Sequence, residues 1–263
     1  MTALPGTVPA VDPARGSLGS RIRFALVPLW TAAWYLAWFA LGRGPGGPAR
    51  RSWVVRTWAN GLLRILRIRV TARGPRPVPP FLLVSNHLSY LDVILLASLV
   101  DTVFVAKREV RRWPLFGSAA SAIGCIFIDR ETPRDARRAG EAMRDAFQAG
   151  NGVVLFAEGT SSDGAGVLQL RSALLEWPAG ENLPVHTAAL SYHTRSGDPP
   201  ASHALCWWGD MTFLPHLAGV CRLGWSEARV TFGATTVSAT DRKDLARTAR
   251  SAILSDFTPS STA

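Results

Sequence analysis

Apolar and polar positions change rhythm along this chain, and the changes divide it. Residues 24–41, "FALVPLWTAAWYLAWFAL", carry no charge. That run makes a helix of about 27 Å, against about 30 Å for the hydrocarbon core of a bilayer. Arg21 and Arg23 precede it and Arg43 follows. Trp30, Trp34 and Trp38 recur every fourth residue, so their rings share the face where interfacial rings sit. The tryptophans, the lack of an A-x-A site and the unpaired cysteines argue against a cleaved signal peptide. The pattern predicts a short spanning or half-inserted membrane helix rather than the core helix of a soluble protein. Next, "RRSWVVRTWANGLLRILRIRV" (50–70) places Val54, Trp58, Leu62, Ile65 and Leu66 along one face, and Arg56, Asn60, Arg64 and Arg67 along another. This is the pattern of an interfacial helix beside anionic lipid. Residues 1–20, rich in Pro, Gly and Ala, read as a disordered leader. The expected organisation is that leader, a membrane-associated helical pair over 21–70 and a folded domain over 71–263.

In the folded part, short apolar runs alternate with helix-period segments. "IRVTA", "FLLVS", "TVFVA", "CIFI", "VVLFA", "VHTAALSY", "ALCWW" and "ARVTF" read as strands. Helices are predicted near 89–100, 114–122, 133–149, 168–177, 211–220 and 241–256. The alternation argues for an α/β domain with a largely parallel central sheet flanked by helices. Ligands of such sheets bind beyond the carboxyl ends of strands, and the informative polar residues fall there.

Charge narrows the partners. The chain has a formal net charge of +10 and 10 tryptophans. A nucleic-acid binder would account for the charge, but not for an uncharged tryptophan-rich helix or for polar motifs at strand ends. An anionic membrane surface accounts for both. Lysine is rare, occurring only as Lys107 and Lys243. Cys125, Cys206 and Cys221 have no metal-binding spacing, and their odd number argues against a disulfide framework. A reducing compartment is expected.

"NHLSYLD" (86–92) delivers His87 and Asp92 at the end of the strand "FLLVS". On a regular helix these positions lie roughly 140° apart. They converge only if His87 sits in a strand-to-helix turn while Asp92 opens the helix. The pair then reads as a base with its orienting carboxylate, and equally as a helix cap beside an unrelated imidazole. Three further strands end on polar groups. "TVFVAKREV" ends with Lys107 and Glu109, "GCIFIDR" with Asp129 and Arg130, and "VVLFAEGTSSDG" with Glu158, Gly159 and Thr160. Arg130 offers a planar fork for a phosphate or carboxylate. Gly159 lets backbone N–H groups approach an anion. The fifth position of "GTSSDG" is Asp163, so the G-x-S-x-G elbow of a serine acyl-enzyme is absent.

Taken in order, "NHLSYLD", "GCIFIDR", "FAEGTSSDG" and "LPVHTAA", with "FVAKREVRRWPLFG" between the first two, resemble the lysophospholipid acyltransferase family. Its best-known bacterial members convert 1-acylglycerol 3-phosphate to phosphatidic acid. The resemblance runs from about residue 70 to 195. It implies that His87 and Asp92 are the catalytic pair, and that Gly124, Phe127, Arg130, Glu158 and Gly159 build the acceptor site. The strand-end reading adds Lys107 as a cation and the Gly159–Thr160 backbone as an oxyanion donor for the substrate. The resemblance also implies a membrane-dipping N-terminal helix pair, and the expected place is the cytoplasmic face of the bacterial inner membrane. The expected reaction needs no cofactor. His87 deprotonates the free hydroxyl of a lysolipid, which attacks the thioester of acyl-CoA or acyl carrier protein. The third block has Ala157 and Ser161 where the family usually has proline and often arginine, and the fourth lacks its second proline. The expected acceptor is 1-acylglycerol 3-phosphate; the "EGTSSDG" run also resembles the branch that acylates lyso-ornithine lipid.

Overall fold

The structure, a computed structural model, describes residues 17–41, 47–113, 116–129 and 133–262. Arg130 and most of the expected leader lie outside the described residues. The elements, in chain order, are α1 (Leu18–Leu41), α2 (Gly47–Ile65), β1 (Ile68–Arg73), β2 (Phe81–Ser85), α3 (Leu91–Leu99), β3 (Thr102–Lys107), α4 (Phe116–Ala122) and β4 (Ile126–Ile128). They continue with α5 (Pro133–Gln148), β5 (Gly152–Phe156), α6 (Glu176–Gly180), β6 (Val185–Thr194), α7 (Ala201–Ala204), α8 (Phe213–Arg222), β7 (Ser226–Phe232), α9 (Arg242–Asp256) and β8 (Ser261–Thr262).

Among the described residues the strands form one sheet in the order β1-β7-β6-β2-β5-β3-β4, with β8 pairing β6 off this path. From β6 to β4 the neighbours are parallel, and β7 runs antiparallel to β6. β2 and β5 are buried at every residue, which is why they read as unbroken apolar runs. Successive side chains still point to opposite faces. Phe81, Leu83, Val154 and Phe156 join a core under α1, α2, α3 and α8. Leu82, Val84, Val153 and Leu155 join a second core under α5 and α9. Helices therefore cover both faces, and the carboxyl ends of β2, β5, β3 and β4 share one edge.

Local signals explain several boundaries. Asp241 caps α9 by accepting from the N–H groups of Lys243 (2.8 Å) and Asp244 (3.0 Å). α5 buries Ala139 and Met143 on its inner stripe, with Ala136, Ala146 and Phe147 half-buried beside them.

Three expected elements differ. The predicted helix 168–177 is an irregular stretch, then a single turn at Ala173–Leu175 and the short α6. Its N–H groups are taken elsewhere: Leu168 donates to a Glu158 carboxylate oxygen (3.0 Å) and Arg171 to the Ala157 carbonyl (2.8 Å). "ALCWW" is no strand; α7 and an irregular segment stand there, with the Trp207 N–H donating to the Leu88 carbonyl (2.8 Å). The helical pattern read over 50–70 stops at Ile65; Arg67 adopts φ 55°, and β1 follows where "IRVTA" reads as a strand.

Candidate active site

His87 lies in the turn after β2, and Asp92 lies in the first turn of α3. Leaving the helix register lets them meet. Asp92 Oδ2 accepts His87 Nδ1–H at 2.8 Å, the Leu88 N–H at 2.7 Å and the Ser89 N–H at 3.0 Å. The same carboxylate thus orients the imidazole and satisfies backbone N–H groups where the helix begins. With Nδ1 donating, Nε2 carries the lone pair, and it has no protein partner among the described residues. Asp92 is fully buried, while the His87 side chain keeps 19% of its exposure. The imidazole stacks on Phe156, with ring centres 4.2 Å apart.

The loop after β5 grips the His87 backbone on both sides. The His87 N–H donates to Glu158 Oε2 (3.1 Å), and the His87 carbonyl accepts from the Ser162 N–H (3.0 Å). Both Glu158 oxygens are therefore used, since Oε1 holds Leu168. Burial pushes the Glu158 carboxyl up to about 7, and nearby Asp92 adds to this, against the pull of the two backbone N–H donors and Arg250. Gly159 turns the chain at φ +76°, with its N–H on the Phe156 carbonyl (3.3 Å). A Cβ there would stand 2.8 Å from Arg171 Nε, so the arginine side chain lies flat against the glycine. Thr160 is exposed, and the Ser161 hydroxyl donates to the Trp207 carbonyl.

The remaining candidates lie on the neighbouring strand ends. Lys107 closes β3 opposite Ile128 and pairs with Glu109 at 3.5 Å, both side chains more than half exposed. Gly124 turns at φ +82° before β4, near Arg51, and Phe127 in β4 lies under Arg111.

Sequence reasoning missed several partners. The Asn86 side chain makes a two-way amide lock with Leu190 of β6 (2.7 and 3.0 Å). The Tyr192 hydroxyl donates to Asp92 Oδ1 at 2.6 Å. The Tyr90 hydroxyl meets His216 Nδ1 at 3.0 Å, while His216 Nε2–H donates to the Cys206 carbonyl at 3.0 Å. Burial lowers His216 to about 4, so it is neutral and accepts from the tyrosine.

Tyr90 also forms part of the wall of an apolar cavity of about 150 Å³ between α1, α2, α3, α4 and α8. Trp34, Trp38, Trp58, Trp113 and Cys125 line it too. The side chains around it are almost all apolar. Burial pushes the Cys125 thiol up to about 11, so no thiolate nucleophile faces it. The site thus offers a free imidazole nitrogen, a buried carboxylate behind it and an apolar pocket reached through Tyr90, which suits removal of a proton from a lipid hydroxyl.

Comparison with known proteins agrees. Residues 67–191 match the family model described as Acyltransferase. A lyso-ornithine lipid O-acyltransferase of Rhizobium meliloti is 35% identical over 70% of this chain and 66% of its own length. The enzyme of that name from Pseudomonas aeruginosa is 31% identical over 82% of this chain and 84% of its own length. A 1-acyl-sn-glycerol-3-phosphate acyltransferase of Neisseria meningitidis is 30% identical over 58% and 60%. The crystal structure of PlsC, the 1-acyl-sn-glycerophosphate acyltransferase of Thermotoga maritima, shares the fold, with a TM-score of 0.58 and 18% identity over 89% of this chain and 96% of that one. The matched segment contains every candidate residue from His87 to Thr160, and on these grounds the chain belongs to the acyltransferase family of the lysolipid enzymes.

Proposed function

We propose that this protein transfers a fatty acyl group from the thioester of acyl-CoA or acyl carrier protein to the free hydroxyl of lyso-ornithine lipid. The observation that carries the chemistry is His87 with Nε2 unpartnered and Nδ1–H held by the buried Asp92 carboxylate. Nε2 takes the hydroxyl proton as the oxygen attacks the thioester carbonyl. When the tetrahedral intermediate collapses, the C–S bond breaks and the imidazolium returns its proton to the leaving thiolate. Asp92 stabilises the imidazolium between these steps. The apolar cavity beside Tyr90 receives the acyl chain.

Two features favour the ornithine headgroup over the phosphomonoester expected from the motifs. Between Glu158 and Arg171 the only charged side chain is Asp163, and the Ser161 hydroxyl is spent on the Trp207 carbonyl. A zwitterion tolerates such a loop better than a dianion does. The relatives at 31–35% identity named above act on lyso-ornithine lipid by name. A second reading, 1-acylglycerol 3-phosphate, is favoured by the Arg171 guanidinium lying against Gly159 and by Lys107 at the end of the neighbouring strand β3. The exposed apolar face of α1 and the positive charge of the chain support a position on the anionic cytoplasmic surface of the bacterial inner membrane.

The test offers both lysolipids to purified protein with each thioester donor and compares kcat/KM. One charge-assisted hydrogen bond is worth roughly 1.5–3 kcal/mol, so a preference of about tenfold or more for lyso-ornithine lipid is expected; the reverse preference restores the phosphate reading. His87→Ala lowers turnover at least about 10²-fold, and near-normal turnover would overturn the mechanism.

A further inference from the structure

Asp92 has no access to water, so every lone pair that is to stabilise its charge must be served by the protein. Oδ2 receives three donors from its own turn. Oδ1 receives the Tyr192 hydroxyl at 2.6 Å, from a residue one hundred positions away in sequence. A short O–H···O⁻ bond of this kind is charge-assisted. The tyrosine is itself fixed. It lies in the middle of the β6–β7 pairing opposite Ala228, is fully buried, and its N–H donates to Ser260 Oγ at 3.0 Å. Two residues earlier, the Leu190 backbone holds Asn86, the residue preceding His87. β6 therefore grips both sides of the His–Asp pair.

We infer that Tyr192 is a positioning residue for acyl transfer: its buried hydroxyl fixes the Asp92 carboxylate and moderates how strongly Asp92 attracts the His87 proton. This rests on the reading of His87 as the base. Burial and the neighbouring Asp92 raise the Tyr192 hydroxyl well above 10, so it remains a donor throughout the working pH range. The other titratable groups around Asp92 are His87, Glu158 and Cys206, with Tyr90 beside Tyr192. Burial keeps Cys206 a thiol, at about 12. Near Asp92, besides His87 itself, stands Glu158, whose carboxyl is raised to about 7.

Without the hydroxyl, Asp92 keeps more negative charge for the imidazole and loses one of its restraints. Tyr192→Phe should therefore lower kcat about tenfold, leave the acceptor KM within about twofold, and move the acid limb of the pH–rate profile up by roughly half a unit or more. A 3-fluorotyrosine at this position keeps the packing, makes a stronger donor and moves the limb the other way. In an Asp92→Asn background the phenylalanine should add less than about twofold, because both changes act through one carboxylate. Multiplicative losses, or an unmoved profile in both variants, would overturn the inference. Should His87→Ala also stay active, the base assignment fails with it; an inactive His87→Ala beside a normal Tyr192→Phe defeats this inference alone.

Discussion

At residue scale the site works by leaving polar atoms few alternatives. Glu158 is the clearest case: a carboxyl buried beside a second carboxylate, with both oxygens on backbone N–H groups. Its value, raised from 4.5 to about 7, means that the folded protein binds this proton more tightly than the unfolded chain. The stability contribution is therefore full below about 4.5 and is lost as pH rises through about 7, on the order of 3 kcal/mol in all. Asp135, Glu227 and Asp241 are shifted downward and change charge below this window. Burial also lowers His216 to about 4, and lowers His186 and His193, so below about 6.5 these groups oppose Glu158. The test is therefore a difference: between pH 5 and 8 the thermal unfolding midpoint of the wild type minus that of Glu158→Gln should fall as pH rises. Parallel trends in the two proteins would refute the assignment. His87, Asp92 and Glu158 were legible in the sequence because their spacing and strand-end position are local. Asn86–Leu190 and Tyr192–Asp92 were not, since each joins residues that only the sheet order brings together.

At element scale, two loops fold over one another: the turn from β2 to α3 and the loop after β5. The alternation of strands and helices was readable because each element's burial follows its own period. The stretches 168–172 and 204–208 were misread for the opposite reason. Their apolar content suggests regular structure, but their N–H groups serve Ala157, Glu158 and Leu88. Gly159 tests this loop. Alanine there would need the left-handed conformation, at a cost of about 1–2 kcal/mol, and would press its Cβ into the Arg171 side chain. Gly159→Ala should lower the unfolding midpoint by several degrees and reduce kcat by displacing Glu158 from the His87 N–H. Adding Arg171→Ala should recover the steric part of the stability loss but not the backbone part. Full additivity of the two losses would show that the contact carries no strain.

At the scale of the whole molecule, α1 is both part of the fold and apolar on its outer side. Its inner face is closely fitted. Trp30 lies over Gly61 of α2, where a Cβ would come within 2.2 Å of the ring, and donates from Nε1 to the Trp58 carbonyl at 3.0 Å. Arg23 donates to the Leu223 carbonyl at the end of α8 at 2.9 Å, so contacts to the domain are made near the start of the helix and at its middle. A helix held in this way lies against the domain and leaves its outer apolar side exposed. Ile22, Leu29 and Leu36, one heptad apart, are 51%, 64% and 68% exposed on that side. Removing α1 would therefore open the cavity and the core under α2, and a loss of membrane binding would be confounded with a loss of fold. Replacing the three outer residues with serine avoids this. Each large aliphatic side chain withdrawn from lipid forfeits roughly 1.5–3 kcal/mol, so the triple variant should partition into membranes at least about a hundredfold less. Its unfolding midpoint in detergent should change little. The residual binding comes from arginines near anionic headgroups and should fall further in high salt. If the variant pellets with vesicles in high salt as firmly as the wild type, α1 is not the anchor, and the basic face of the domain must hold the enzyme at its lipid substrate.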